Sequence, residues 1–188
     1  SFQKNVDYRG FTASPLLGES QGISVYLDGV RINESFGDTV QWELIPENAI
    51  KQIDLMSSNP AFGLNALGGS LALTTKKGLD YKNIKFIDTI NKYGSFNFSS
   101  ELMEYGYGTD SFGTYTSIEL NRDGGWRAHS DGEISRFFTN YGFELDALDL
   151  NFNFLGGNTD LNGNGVSPIE LLQKNRKAVF TWPDKTSN

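Results

Sequence analysis

The sequence predicts a β-rich protein in which a small part with mixed α and β structure precedes a series of antiparallel strands. The chain has 188 residues with 21 glycines, and 13% of the residues are aromatic, which favours short strands and tight turns over long helices. Several segments in the second half alternate apolar with polar residues, as half-buried strands do. No apolar run approaches the ~20 residues that a membrane-spanning helix needs. We therefore expect strands to carry the architecture.

Composition argues against several classes of function. Sixteen basic and 23 acidic residues give a net charge of −7 without a lysine- or arginine-rich run, so we expect no nucleic-acid partner. The chain has no cysteine and only one histidine, His129, which excludes a disulfide scaffold, a thiolate metal site and an imidazole cluster. The acidic residues are dispersed, and no nucleophile or dinucleotide-binding motif is present. We expect neither an enzyme nor a cofactor.

The first part of the chain contains two strand signals and one helix start. Residues 24–33 form an apolar strand pattern around Asp28-Gly29, a pair that favours a strand reversal. Residues 69–76 resume a period-two pattern directly after a glycine pair. Pro46 is suited to the first turn of a short helix. These signals predict one small sheet that contains both segments.

The second part predicts five strands, each about 10 to 14 residues long, which matches the strands of a transmembrane barrel. In the last of them Leu148, Leu150, Phe152 and Phe154 oppose Asp149, Asn151 and Asn153 across the strand. A water-soluble β-sandwich with one buried face produces the same alternation, so periodicity alone leaves both architectures open. The five segments are residues 82–93, 96–107, 112–122, 132–145 and 148–157.

Four ordered blocks of sequence resemble the plug domain of TonB-dependent outer-membrane receptors. They are Arg9-Gly10-Phe11, residues 24–33, residues 44–54 and residues 65–76. The resemblance implies the C-terminal part of a small α+β plug domain in residues 1–79. Residues 80–188 are then the first strands and part of an extracellular loop of an incomplete 22-strand transmembrane β-barrel. One departure is Ser58-Asn59-Pro60, where the family has Arg-Gly-Pro, so one expected buried arginine is absent.

The resemblance also implies a function. Receptors of this kind import a scarce nutrient chelate, such as a siderophore–iron complex, across the outer membrane of Gram-negative bacteria. The implied partners are the chelate, outer-membrane lipid and TonB, which would bind through an N-terminal segment that we expect to be missing from this sequence. The alternative function is that of a secreted or surface β-domain that binds a partner through its loops.

The resemblance places ligand contacts in the apical loops of the plug. Each of these loops is equally well explained as an ordinary polar turn. Two arginines, Arg9 and Arg31, are implied to pair with carboxylates of the barrel. The implied ligand-binding residues are Asn33, Glu34, Phe36, Asp38, Phe62 and Asn65, with residues 12–17 as a neighbouring apex.

One metal-like pattern occurs late in the chain. Asp160, Asn162 and Asn164 occupy positions 1, 3 and 5 of a calcium loop, but position 12 is Leu171 instead of a bidentate glutamate. We therefore predict a turn rich in asparagine and glycine and no metal site. After this turn, a short helix is expected to start at Pro168 with Ser167 as its cap.

Overall fold

A computed structural model describes residues 4–57, 66–163, 165–180 and 184–187 of the chain. The chain forms two compact units, Ser1–Lys76 and Lys77–Asn188, and each is described by itself. A 3₁₀ helix, Gly78–Tyr81, lies at the start of the second unit, and the domain boundary after residue 79 stays a prediction.

The first unit contains a two-stranded hairpin and a four-stranded sheet. The hairpin consists of β1 (Val6–Tyr8) and β2 (Phe11–Ala13). In the sheet the strand order is β4-β3-β6-β5, with β3 and β6 parallel and the other pairs antiparallel. Its strands are β3 (Ile23–Leu27), β4 (Val30–Arg31), β5 (Ile50–Ser57) and β6 (Gly69–Thr75).

The two predicted strand segments lie in this one sheet, as expected, but the first is divided by a turn. Asp28 and Gly29 both have positive φ, 47° and 84°, which is the backbone of a tight hairpin turn whose twist suits the flanking strands. The Asp28 carboxylate also accepts hydrogen bonds from the backbone N–H and the hydroxyl of Thr75, at 2.9 and 2.6 Å. The turn is therefore tied to the end of β6.

Apolar side chains cover one face of this sheet and form the core of the first unit. Ile23, Val25, Leu71 and Leu73 are buried together with Val40. The predicted helix near Pro46 is a 3₁₀ helix, Glu47–Ala49, with Pro46 as the residue that precedes it. It is brief because strand pairing with β6 resumes at Ile50.

The second unit is an antiparallel meander in which neighbouring strands in sequence are neighbours in the sheet, in the order β12-β11-β10-β9-β8-β7. The five predicted segments are all strands, and the last extends to Gly163, beyond its expected end at residue 157. A short sixth strand, β12 (Asp184–Ser187), pairs with its end. The long strands are β7 (Lys85–Tyr93), β8 (Ser99–Gly108), β9 (Phe112–Asp123), β10 (Gly132–Leu145) and β11 (Leu148–Gly163).

The register gives this sheet one polar and one apolar face. Asn140 pairs with Tyr115 on β9 and with Asn153 on β11, and its amide donates to Asn153 at 2.6 Å, so these residues share a face. Phe152 and Phe154 alternate with Asn153 and lie on the opposite face, where they are about half exposed. The predicted opposition of apolar and polar residues in β11 is confirmed. Other members of the exposed apolar face are Ile87, Met103, Leu120, Phe137 and Tyr141.

A 3₁₀ helix, Gly78–Tyr81, lies on the polar face near one end of the strands. The backbone N–H of Gly78 donates to Asn140 Oδ1 at 2.6 Å, and the Tyr81 ring stacks on Tyr115 with centroids 5.7 Å apart. The backbones of Gly78 and Gly113 approach so closely that a Cβ on either residue would collide with the other. Glycine in β9 thus allows the helix to reach the sheet.

The region after residue 157 differs from the sequence prediction. Asp160, Leu161, Asn162 and Gly163 belong to β11 and pair with β12, so the predicted asparagine- and glycine-rich turn is wrong there. Cross-strand hydrogen bonding overrides the turn preference of these residues.

The only α-helix of the described residues is α1 (Ile169–Lys174), which starts one residue after Pro168. Ser167 does not cap it, because the Ser167 hydroxyl donates to the carbonyl oxygen of Ala178 and accepts from Arg127. No helix in the described part of the chain is long and apolar enough to cross a membrane.

Candidate ligand-binding site

A polar cleft of about 680 Å³ lies in the first unit, beside the turn that follows β4. Three of the sequence-predicted residues, Asn33, Glu34 and Asp38, line it together. We call it the apical cleft, and its lining consists of Glu19, Gln21, Arg31, Asn33, Glu34, Ser35, Gly37 and Asp38.

Asn33 holds the cleft to the sheet through backbone hydrogen bonds. Its Oδ1 accepts from the N–H of Val25 at 2.7 Å, and its Nδ2 donates to the carbonyls of Ile23 at 3.0 Å and Asp38 at 3.3 Å. The side chain thus prolongs the pairing of β3 beyond the end of β4. Because its amide is committed to these bonds, Asn33 is a positioning residue of the turn.

Residues 34–38 form a closed turn on this support. The N–H of Glu34 donates to the backbone carbonyl of Thr39 at 2.8 Å. Both Gly37 and Asp38 have positive φ, 75° and 55°. The Leu17 side chain lies directly against Gly37, so a Cβ at residue 37 would displace it. The loop that contains Leu17 is therefore adjacent to the 34–38 turn.

The charged groups of the cleft include one internal ion pair. Arg31 Nη2 lies 2.6 Å from Asp38 Oδ1, and Arg31 Nε also donates to Asn33 at 3.4 Å. Arg9 is exposed and stacks over the ring of Tyr8, with its guanidinium carbon 5.1 Å from the centroid. The pairing of Arg9 and Arg31 with barrel carboxylates stays a prediction.

The tip of the turn faces solvent. Glu34, Ser35 and Phe36 are exposed, and Phe36 has 79% of its surface accessible, which is high for an aromatic side chain. An exposed aromatic beside polar groups is a typical ligand contact. The ligand-binding role of these residues stays a prediction.

Two lining residues were missed by the sequence analysis. Gln21 bridges its own loop: its Nε2 donates to the carbonyls of Ser14 and Leu16, and its Oε1 accepts from the N–H of Ser14 at 3.1 Å. These bonds fold the 14–21 loop back so that Glu19 and Gln21 reach the cleft. The only sequence signal was a polar triplet, Glu19-Ser20-Gln21, between Gly18 and Gly22.

Several of the remaining predicted site residues cannot be assigned to this cleft or placed outside it. Phe62, Asn65 and Asn164 lie outside the described residues, as does Ser58-Asn59-Pro60. Asp160 and Asn162 are strand residues of β11, which is not the geometry of a calcium loop. Where the chain is described, no three acidic or histidine side chains are grouped in a way that could hold a metal ion.

Comparison with known proteins agrees with the resemblance seen in the sequence. Residues 1–70 match the family model of the TonB-dependent Receptor Plug Domain. A comparison with curated proteins gives no match. Among solved structures, the chain is similar to the siderophore receptor PiuA from Acinetobacter baumannii, with a TM-score of 0.65 and 15% identity over 86% of this chain and 21% of that chain.

Two further receptors have the same fold. The ferric-catecholate import receptor Fiu from E. coli K12, in its open form, gives a TM-score of 0.64 and 19% identity over 89% of this chain and 25% of that chain. The ferric citrate transporter FecA in its unliganded form gives a TM-score of 0.61 and 17% identity over 90% of this chain and 27% of that chain. The chain thus spans about a quarter of the length of these receptors. Residues 1–70 are a TonB-dependent receptor plug domain, and the strands that follow have the fold of an incomplete receptor barrel.

Proposed function

We propose that this chain belongs to a receptor that imports a scarce nutrient chelate, such as an iron–siderophore complex, across the outer membrane of a Gram-negative bacterium. The observation that carries the proposal is the combination of a plug domain with a sheet whose exposed face is apolar. Lipid would cover such a face in a membrane, whereas water would penalise it. TonB would supply the energy, and the protein would perform no covalent chemistry.

In this proposal the chelate rests on the apical cleft and on the exposed tip of the turn. Three features support it: the lining is polar, the turn is held rigidly by Asn33, and Phe36 is exposed beside it. Polar groups on a rigid support orient ligands, and an exposed aromatic adds apolar contact. Asn33 itself would contribute by holding the turn.

Uptake of radioactive iron by cells that carry the full-length receptor as their sole receptor for iron chelates tests the proposal. The probes are the ferric complexes of a trihydroxamate, a tricatecholate and citrate. We expect TonB-dependent uptake of at least one, and a Glu34→Ala/Ser35→Ala/Phe36→Ala variant should lower its affinity about tenfold, equivalent to about 1.4 kcal/mol.

The matched control is Gln52→Ala/Asp54→Ala, which truncates exposed residues of β5 that do not line the apical cleft. Intact affinity in the cleft variant would show that the ligand binds elsewhere. The alternative, a water-soluble β-domain, requires a stable monomer without detergent. Heat-modifiable mobility of the full-length protein in detergent would instead support the barrel.

A further inference from the structure

We propose that Glu19 and Glu34 make the apical cleft select against anionic ligands, so that the chelate it accepts has a net charge of zero or above. This inference rests on the proposed function of the cleft as the ligand site. It distinguishes this chain from two receptors of the same fold, a ferric-catecholate import receptor and a ferric citrate transporter, since the citrate and catecholate complexes of iron are anionic.

The cleft contains more negative than positive charge. Glu19, Glu34 and Asp38 line it with a single cation, Arg31. Arg31 is already paired with Asp38 at 2.6 Å, so this pair contributes little net charge. Within the described part of the chain, Glu19 and Glu34 form no ion pair. Among the lining residues of this chain, two carboxylates therefore remain uncompensated by an ion pair.

The hydrogen-bonding groups of the cleft point to the same class of ligand. Carboxylates only accept hydrogen bonds when they are ionised. The amides of Gln21 and Asn33, which could donate to an anion, are bonded to backbone carbonyls. A ligand that donates, through an ammonium, hydroxyl or amide N–H group, matches this lining better than one that presents oxygen anions.

The expected effect is moderate because both glutamates are exposed. One unit charge at about 8 Å in water changes the local concentration of a monovalent ion by about two- to threefold. Two charges act together, and they act in opposite directions on a cation and an anion. The ratio of cation to anion should therefore change by about tenfold or more at low salt, and by less at high salt.

A thiol reporter measures this potential without any knowledge of the ligand. Because the sequence contains no cysteine, Ser35→Cys places a unique thiol of this chain in the lining of the cleft. In the full-length receptor, freed of any other cysteine, its reaction rates with a cationic and an anionic methanethiosulfonate are compared. We expect Glu19→Gln/Glu34→Gln to lower the cation-to-anion rate ratio about tenfold, whereas Asp54→Asn, a charge change outside the cleft lining, should leave it unchanged.

A chelate series measures the preference for ligands. A ferric trihydroxamate with a free ammonium group, its acetylated form and its succinylated form share one metal centre and differ in charge. We expect affinity to fall from the ammonium form to the succinylated form, and Glu19→Gln/Glu34→Gln to reduce this difference. Equal affinities that the double variant leaves unchanged would overturn the inference.

The two measurements separate the inference from the function on which it rests. An unchanged thiol ratio in the double variant overturns the charge preference even if chelates are imported. If no chelate in the series binds, trihydroxamate import is excluded, and the thiol ratio alone then decides the charge preference of the cleft.

Discussion

In the first unit, Ile23, Val25 and Leu73 lie on the covered face of a sheet, whereas in the second unit Phe152 and Phe154 lie on the open face. The buried positions of the second sheet include polar residues such as Asn140 and Arg136. Both sheets alternate apolar and polar side chains with the same period. Alternation therefore gives each sheet an apolar and a polar face. Whether the apolar face can remain uncovered by protein depends on the medium next to it.

The largest expected effect comes from comparing two arginines on opposite faces of the second sheet. Arg136 pairs with Glu119 at 3.1 Å, and their side chains are 3% and 17% exposed, so Arg136→Met should destabilise by about 3–5 kcal/mol because it leaves a poorly solvated carboxylate. Arg122 pairs with Glu133 at 3.3 Å with both side chains about two-thirds exposed, so Arg122→Met should cost only about 0–1 kcal/mol. Refolding of the full-length receptor in detergent measures both, and equal losses would contradict the assigned faces.

A charge on the apolar face should have the next largest effect. Phe152→Lys should cost about 2–4 kcal/mol in a bilayer if this position is near its centre, because the ammonium loses its water. Asn151→Lys, one residue away on the polar face, is the matched control and should cost less. Unchanged refolding stability of Phe152→Lys in lipid would show that this face does not contact the membrane.

Asn140 tests whether the polar face is held by specific bonds. Asn140→Ala removes the acceptor of the Gly78 N–H and should cost about 1–3 kcal/mol, since a buried donor is left unsatisfied. Asn140→Asp keeps an acceptor oxygen and is the control for this bond. Hydrogen exchange at the Gly78 amide should accelerate in the alanine variant, and an unchanged rate would place its acceptor elsewhere.

The smallest expected effect concerns pH. A hydrogen bond from Lys82 to Glu144 raises the pKa of the Lys82 ammonium above its ordinary 10.5. The folded state thus binds this proton more tightly, so the pair stabilises fully below the ordinary pKa and loses its effect as the pH rises through the raised pKa. Lys82→Gln should be less stable than the native chain at about pH 8 and equally stable well above the raised pKa. A difference that persists at high pH would mean that packing, and not charge, accounts for it.

Local signals explain which parts of the fold could be predicted. Asp28-Gly29 reverses the chain because the two residues themselves tolerate positive φ, and β11 separates its faces because its own residues alternate. Turn preference failed at residues 160–163, where pairing with β12 supplies hydrogen bonds from a distant segment. The cap expected at Ser167 failed for a similar reason, since Arg127 engages its hydroxyl.

The sequence predicted only some of the residues that line the candidate site. Asn33, Glu34 and Asp38 follow the Asp-Gly turn in the order that the family resemblance implies, and the structure brings them to one cleft. Glu19 and Gln21 could not be foreseen, because they reach the cleft only when the 14–21 loop folds back through the bonds of Gln21.

The sequence by itself determined the strand segments at residues 24–33 and 69–76, the five long strands, the hairpin turn, the two faces of the second sheet and the plug-domain resemblance, because each depends on residues close together in the chain. Tertiary structure alone decided the docking of Gly78 against Gly113, the pairing of Arg31 with Asp38 and the lining of the apical cleft. These features depend on how closely backbones approach and on how side chains are oriented in three dimensions. The spacing of apolar and polar residues along the sequence does not specify either.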